Sequence, residues 1–156
     1  MRNSISFNSG MIRAVRENRK TMTRRPIKPQ PEAKFNNGDW YPDRYNHTEE
    51  WCFWGKKGTD VQNKCGLPMF KSPYQIGQIL HVTPRSANCP DVIVTNIKVE
   101  RVQDISNEDI RKEGAACFGC VTHRLNFQQL WDSIYLKSYP WLSNPWVYAI
   151  EFKVMK

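Results

Sequence analysis

The last regular segment of the chain is the feature that most limits its fold. From Trp146 to Val154, every second residue is large and apolar, which is the two-residue period of a β-strand. The residues between them include Glu151 and Lys153, so the two sides of the strand differ in polarity. A strand of this length and pattern is stable only in a sheet that packs on a core. The chain must therefore build a sheet that includes this segment.

Other segments with the same character predict a small sheet with few helices. Further strands are expected at residues 5–7, 78–83 and 92–102. Apolar spacing and capping residues predict helices at about 9–17, at 106–114 and around Phe127. Strands and helices do not alternate regularly, which argues against a parallel α/β fold. The sequence therefore predicts an α+β fold: a small mixed β-barrel with two or three peripheral helices.

The segment from residue 26 to residue 76 is irregular in pattern but rich in aromatic residues. Residues 26–76 hold six of the ten prolines. The aromatic residues in this stretch include Trp40, Tyr41, Tyr45, Trp51, Phe53 and Trp54. A disordered linker would have fewer aromatic residues. We therefore expect an ordered insertion with a hairpin at about residues 30–75, within a single domain that spans residues 1–156.

Positive charge is concentrated near the start of the chain. The net charge is +8, and the first 34 residues hold nine Lys and Arg against two Glu. Four of these cations, Arg19, Lys20, Arg24 and Arg25, lie within seven residues. Charges without partners cannot be buried cheaply, so this run lines either a wet surface or a polar cleft. A local basic face is typical of nucleic-acid binding, and a merely solvated face is the alternative.

The composition gives no sign of a membrane segment, a cofactor or a structural disulfide. No apolar run has the length of a signal or membrane segment, and the five cysteines are an odd number. We therefore expect a cytoplasmic protein with reduced thiols. Cys117, Cys120 and His123 have the spacing of metal ligands, but a second pair is missing unless Cys65 or Cys89 completes the site. We predict no metal and no cofactor.

Two residues in the basic run have the chemistry of a catalytic pair. A lysine crowded by arginines has a lowered pKa, and its neutral amine can take a proton from a hydroxyl. In a turn after a helix, Lys20 can therefore activate Thr23 as a nucleophile. The alternative is that Lys20, Arg24 and Arg25 contact phosphates. Glu113, at the end of a short helix, is either a general acid/base or an exposed surface residue.

The same residues resemble a known family. Phe7-Asn8-x-x-Met11 followed by residues 18–26 (NRKTMTRRP) is similar to the opening of ASCH domains, a PUA-like barrel family, and most resembles a phage and prophage branch. The middle segment VERVQDIS with Glu113-Gly114 and the segments LWDSIY and NPWV also resemble that branch. Residues 30–75 are not covered by this resemblance.

The resemblance implies a β-barrel with a cleft for RNA or a nucleotide-like ligand. A small bacterial relative is an amidohydrolase of N4-acylated cytidines that uses a Lys, a Thr and a Glu. By motif, these three residues correspond to Lys20, Thr23 and Glu113. The phage branch usually carries Gly-Asp-x-Leu-Trp-Val-Arg-Glu, whereas residues 77–84 here read GQILHVTP. The lost acidic, Trp and Arg residues favour a binding protein over an enzyme.

These observations rank four functions. The first is binding of RNA or a modified nucleoside in a basic cleft, with Arg19, Lys20, Arg24 and Arg25 as contacts. The second is an amidohydrolase in which Thr23 attacks, Lys20 takes the proton and Glu113 activates water. The third is a ribonuclease that uses the same residues. The fourth is a phage accessory protein that binds a host protein through the aromatic insertion.

Overall fold

The computed structural model describes residues 3–46, 48–84, 89–115 and 122–155. In these ranges the chain forms eight strands and three α-helices. The strands are β1 (Ser4–Ser6), β2 (Met22–Pro26), β3 (Trp40–Arg44), β4 (Glu50–Gly55), β5 (Cys65–Lys71), β6 (Ile79–Thr83), β7 (Val92–Arg101) and β8 (Trp146–Val154). The helices are α1 (Ser9–Arg16), α2 (Asn107–Lys112) and α3 (His123–Tyr135). The predicted α+β class is confirmed.

The main sheet has five strands in the order β1-β6-β7-β8-β2. β1 pairs with β6 in parallel, and the other pairs are antiparallel. β8 has the predicted bounds and lies between β7 and β2. Its residues are buried on both faces, because Ile150 packs in the main core and Val147 packs in a second core against α2 and α3. In the β2–β8 register, Arg24 lies opposite Ala149 and Arg25 opposite Tyr148.

The sheet does not close into a barrel, so this detail of the predicted fold is wrong. β1 and β2 are the two edge strands, and neither pairs with a further strand in the described ranges. β1 has only three residues, and its main chain pairs with β6 on one side. A side chain bridges the gap instead, since the Arg25 guanidinium of β2 donates to the main-chain carbonyl of Ser6 in β1. The gap between these two edges is where a cleft opens.

The aromatic-rich segment forms a second sheet rather than a single hairpin. β3, β4 and β5 form an antiparallel sheet in sequence order. Aromatic rings attach it to β8 of the main sheet: the ring centroids of Phe53 and Trp146 are 4.7 Å apart, and those of Phe70 and Tyr148 are 6.3 Å apart. The segment is thus ordered, as expected. Its status as an insertion in a single domain stays a prediction.

Two of the helices, α1 and α2, begin and end close to their predicted bounds. Asn8 caps α1 by accepting from the Met11 amide at 2.9 Å, and Asn18 follows with a φ of 55°. Ser106 caps α2, and Gly114 ends it with a φ of 75°. A Cβ on Gly114 would lie 3.1 Å from the Cβ of Lys20, so α2 ends close against the basic run. None of the helices that the structure describes is long and apolar enough to span a membrane.

Candidate nucleotide-binding cleft and buried charge cluster

Lys20 lies in the turn between α1 and β2 and is fully buried. Its ammonium donates to the carbonyl of Met22 at 2.9 Å, to the carbonyl of Glu113 at 2.8 Å and to Oε2 of Glu113 at 2.8 Å. These three bonds use all three N–H donors of the ammonium. The structure therefore brings Lys20 and Glu113 together across 93 residues of chain. Glu113 is 4% exposed, so its interpretation as a surface residue is wrong.

Burial lowers the pKa of Lys20. Loss of hydration is the largest cause, and the carboxylate of Glu113 opposes it. Repulsion from Arg25 and Arg24 contributes less. The direction agrees with the sequence prediction, but the main cause is burial rather than the neighbouring cations.

Arg24 is also buried, and carboxylates surround it. Its guanidinium donates to Glu100 at 2.6 and 2.8 Å, to Asp109 at 2.8 Å and to Glu113 at 3.2 Å, and the fifth N–H points to the sulfur of Met22 at 3.3 Å. Burial alone would lower the pKa of Arg24, but attraction to these carboxylates outweighs it and raises the pKa. Lys20, Arg24, Glu100, Asp109 and Glu113 are called the buried charge cluster below.

The buried charge cluster leaves neither cation free for a ligand. Arg24 and Lys20 have side chains that are 1% and 0% exposed. All their N–H donors are already occupied. Phosphate contact by these two residues stays a prediction, and the geometry counts against it because contact would require the cluster to open.

Thr23 lies at a narrow crevice next to the cluster. It is 3% exposed and lines this crevice together with Glu113, Arg25 and Tyr135. The crevice has a volume of about 20 Å³. That is room for about one water molecule, and it is far too small for a nucleoside. Thr23 and Glu113 thus line one crevice, and Lys20 bonds to Glu113 from the buried side, but the crevice leaves little space for a substrate.

The other two predicted nucleic-acid contacts differ from each other. The side chain of Arg19 is 50% exposed and pairs with Glu17 on the surface. Arg25 faces the gap between β1 and β2, where it donates to the hydroxyl of Tyr135 at 3.1 Å and lies 5.4 Å from the ring centroid of Phe7. It forms no salt bridge with any residue that the structure describes. Arg25 is therefore held in place by a ring and two hydrogen bonds, and no described carboxylate neutralises its charge.

A cleft of about 640 Å³ opens in front of Arg25. It lies between the β1 and β2 edges of the main sheet and the end of β5. Its lining combines three cations with three tyrosines: Arg25, Lys28, Lys71, Tyr74, Tyr135 and Tyr148. Lys71 pairs with Glu49 at 2.9 Å, whereas Lys28 makes no salt bridge within the described residues and lies 5.5 Å from the ring centroid of Tyr139. The cleft is therefore positively charged.

Sequence reasoning missed most of this lining. Lys28 belongs to the basic first segment, but Lys71 comes from the insertion and Tyr148 from the final strand. Tyr148 is buried, which raises its pKa to about 12, and its hydroxyl donates to the carbonyl of Lys71 at 3.1 Å. This bond joins β8 to β5 at the edge of the cleft. Only the packing of the second sheet on the main sheet brings these residues together. No spacing in the sequence indicates that packing.

The residues with metal-ligand spacing lie partly outside the described ranges. Cys117 and Cys120 lie outside the described residues, and His123 is the first residue of α3. Among the residues with described positions, no group of three or more His, Cys, Asp or Glu is arranged to hold a metal ion. The absence of a metal stays a prediction.

Comparison with known proteins shows the fold. The sequence matches no family model and no curated protein. Among solved structures, an ASCH domain from Lactobacillus crispatus is similar, with a TM-score of 0.52 and 12% identity over 98% of this chain and 80% of that one. A protein of Enterococcus faecalis from the DUF984 family is similar, with a TM-score of 0.52 and 11% identity over 99% of this chain and 81% of that one.

These similarities define the class of fold. The chain has the fold of an ASCH domain, as the sequence resemblance predicted, although its sheet is open. At this level of identity the likeness extends to the fold alone. The phage branch stays a prediction.

Proposed function

We propose that the protein binds RNA or a nucleotide-like ligand in the cleft in front of Arg25. One observation carries this proposal: Arg25 and Lys28 line a large open cleft and form no salt bridge within the described residues. Cations that line an open cleft attract an anion, and both the guanidinium of arginine and the ammonium of lysine bind phosphate well. The fold is consistent with this role, since an ASCH domain shares it.

The proposal divides the basic run into two groups. Lys20 and Arg24 neutralise carboxylates inside the protein. Arg25 and Lys28 face the cleft, and Lys71 adds a third cation that is already paired with Glu49. Ligand affinity therefore depends on Arg25 and Lys28 rather than on the four cations that the sequence singled out. Arg19 contributes at most a weak surface charge, because it is paired with Glu17.

Removal of either free cation should weaken salt-dependent RNA binding. Arg25→Gln and Lys28→Gln each remove one phosphate contact, so each should lower the slope of log K against log salt by about one unit at most. The measurement is a fluorescence titration of a labelled single-stranded RNA at several salt concentrations. Arg13→Gln is the matched control, because Arg13 is exposed, pairs with Glu17 and does not line the cleft. Equal slopes for all three variants and the wild type would contradict the proposal.

A second candidate function is deacylation of an N4-acylated cytidine. The observation that favours it is that Thr23 and Glu113 line one crevice while Lys20 bonds to Glu113. In this reaction Lys20 acts as a neutral amine, so its ammonium must first lose a proton. The Thr23 hydroxyl oxygen attacks the acyl carbon and its proton passes to Lys20. Lys20 then gives this proton to the cytidine amine as the bond between that amine and the acyl carbon breaks. Water activated by Glu113 then releases the acid and restores Thr23. The crevice must widen for this to occur.

An assay of acetate release from N4-acetylcytidine tests this second function. The expected result for an enzyme is turnover by the wild type and its loss in Thr23→Val, which keeps the side-chain shape and removes the nucleophile. Thr21→Val is the matched control, since it removes a hydroxyl from the same turn. Turnover that survives in Thr23→Val, or none in the wild type, would eliminate this candidate.

Three finer assignments remain predictions that follow from the sequence. They are a phage or prophage origin, a cytoplasmic location and a host protein as an additional partner.

A ribonuclease would use Lys20, Thr23 and Glu113 on a phosphodiester. Its substrate would meet the same obstacle as that of the deacylase, because the crevice must widen to admit it.

A further inference from the structure

A second cavity adjoins the cleft on the side of the aromatic sheet. Its volume is about 430 Å³, which is within the usual range for sites that hold small organic ligands. Lys28, Lys71 and Tyr148 line both the cleft and this cavity. The hydrogen bond from Tyr148 to the Lys71 carbonyl therefore lies at the boundary between the two. We call the second cavity the aromatic pocket.

The walls of the aromatic pocket are mostly apolar, with three phenylalanine rings and three prolines. They also include Gln30, the two lysines and Glu32, whose carboxylate pairs with Lys34 at 3.0 Å. Phe35 and Phe53 stack with centroids 4.4 Å apart and planes inclined by 15°, and the Phe70 ring lies 5.7 Å from Phe53. Phe35 and Phe53 are buried, whereas Phe70 is half-buried and offers ring surface to the pocket. A flat apolar group in the pocket can therefore contact Phe70 without disturbing the core.

Hydrogen bonds fix one side of the pocket in advance. The Gln30 amide nitrogen donates to the carbonyls of Ile27 at 2.8 Å and Trp146 at 2.9 Å, and its oxygen accepts from the Trp146 amide at 2.8 Å. These bonds attach the segment after β2 to the start of β8. A site built in this way needs little rearrangement to bind, which lowers the entropic cost of binding.

We propose that the aromatic pocket is a base-binding subsite for the ligand of the cleft. The phosphate lies at Arg25 and Lys28, the chain of the ligand passes Lys28, and one base contacts Phe70. This inference rests on the proposed function and specifies its ligand: a nucleotide unit in single-stranded form, because a base that is stacked and paired in a duplex cannot lie against an aromatic side chain. An anion alone would leave the aromatic pocket unused.

The charge pattern favours a nucleotide over ligands that are wholly apolar. The ligand must have a negative charge on one side of Lys28 and a flat apolar group on the other. Nucleotides have this arrangement, and bases stack on aromatic rings whatever their sequence. The pocket therefore predicts binding that requires bases but is tolerant of their identity.

The experiment compares a uridine oligomer with an abasic ribose-phosphate oligomer of the same length. The wild type should bind the uridine oligomer roughly tenfold more tightly, which is the usual effect of one stacked base. Phe70→Leu should lose this preference and keep the salt slope, because the cations remain. Tyr41→Leu is the matched control: it removes a ring of the same sheet that is 43% exposed and outside the pocket.

The outcomes separate this inference from the proposed function. Equal binding of both oligomers by the wild type, with a steep salt dependence, would overturn the base subsite and leave the phosphate site standing. Absence of binding to either oligomer would overturn both.

A second measurement needs no variant. An oligomer with 4-thiouridine is irradiated in complex with the wild type, and the crosslinked peptide is identified by mass spectrometry. Crosslinks in β5, near Met69 and Phe70, are expected. Crosslinks confined to segments that do not line the pocket would overturn the proposal.

Discussion

Glu113→Gln should destabilise the protein by about 3–5 kcal/mol, the usual cost of leaving one member of a buried ion pair without its partner. Glu113 accepts from Lys20 at 2.8 Å through one oxygen and from Arg24 at 3.2 Å through the other. Glutamine has nearly the same size, so the loss reflects charge rather than a cavity. Urea unfolding followed by circular dichroism measures the effect.

The pH dependence identifies Lys20 as the cause. In the variant, no carboxylate opposes burial, so the already lowered pKa of Lys20 falls further. Between that pKa and the ordinary lysine value of 10.5, the unfolded chain binds more protons than the folded one. Stability therefore rises with pH in this window, and the deficit of the variant shrinks as the pH approaches 10.5.

Glu17→Gln is the control for Glu113→Gln. Glu17 also pairs with two cations, Arg13 and Arg19, but its side chain is 41% exposed and water screens the charges. We expect little change in stability for this variant. Similar losses of stability for both variants would show that the buried charge cluster contributes no more to stability than a surface ion pair.

Arg24→Met should have an effect of similar size. It removes the cation that holds Glu100 and Asp109 together, whereas Glu113 keeps its bond to Lys20. We expect a loss of about 3–5 kcal/mol at neutral pH. The measurement is again urea unfolding.

Arg19→Met is the control for Arg24→Met. Arg19 also pairs with a carboxylate, that of Glu17, but its side chain is 50% exposed and water screens the charges. We expect little change in stability for this variant. Losses of equal size for Arg24→Met and Arg19→Met would contradict the expected contribution of the buried charge cluster.

Local signals in the sequence predicted β1, β6, β7, β8 and the helices, but not β2 or the three separate strands of the second sheet. The alternation in the last strand gave its bounds, and Asn8, Asn18, Ser106 and Gly114 marked the ends of two helices. Such signals depend on residues that are close in the chain. Closure of the sheet into a barrel depends on whether β1 and β2 form hydrogen bonds with each other, and no local signal in the sequence indicates that. The prediction of a closed barrel was wrong for this reason.

The candidate site was less predictable for the same reason. The contact between Lys20 and Glu113 spans 93 residues and was expected only from the family resemblance. The carboxylates around Arg24 come from two further elements, so its burial was not foreseen. The cleft includes Lys71 and Tyr148, which the second sheet brings to Arg25. The catalytic and binding roles themselves stay predictions until the variants above are measured.

The pairing of β2 with β8 limits which mutations in β2 the fold can tolerate. Arg24 and Arg25 are neighbours on one strand, so they face opposite sides of the sheet, one toward the buried carboxylates and one toward the cleft. A slip of one residue in this pairing would exchange the two faces along the whole strand. The insertion or deletion of one residue within β2 should thus abolish ligand binding and folding together. Substitutions at Arg25 or Lys28, by contrast, can alter ligand preference while the fold persists.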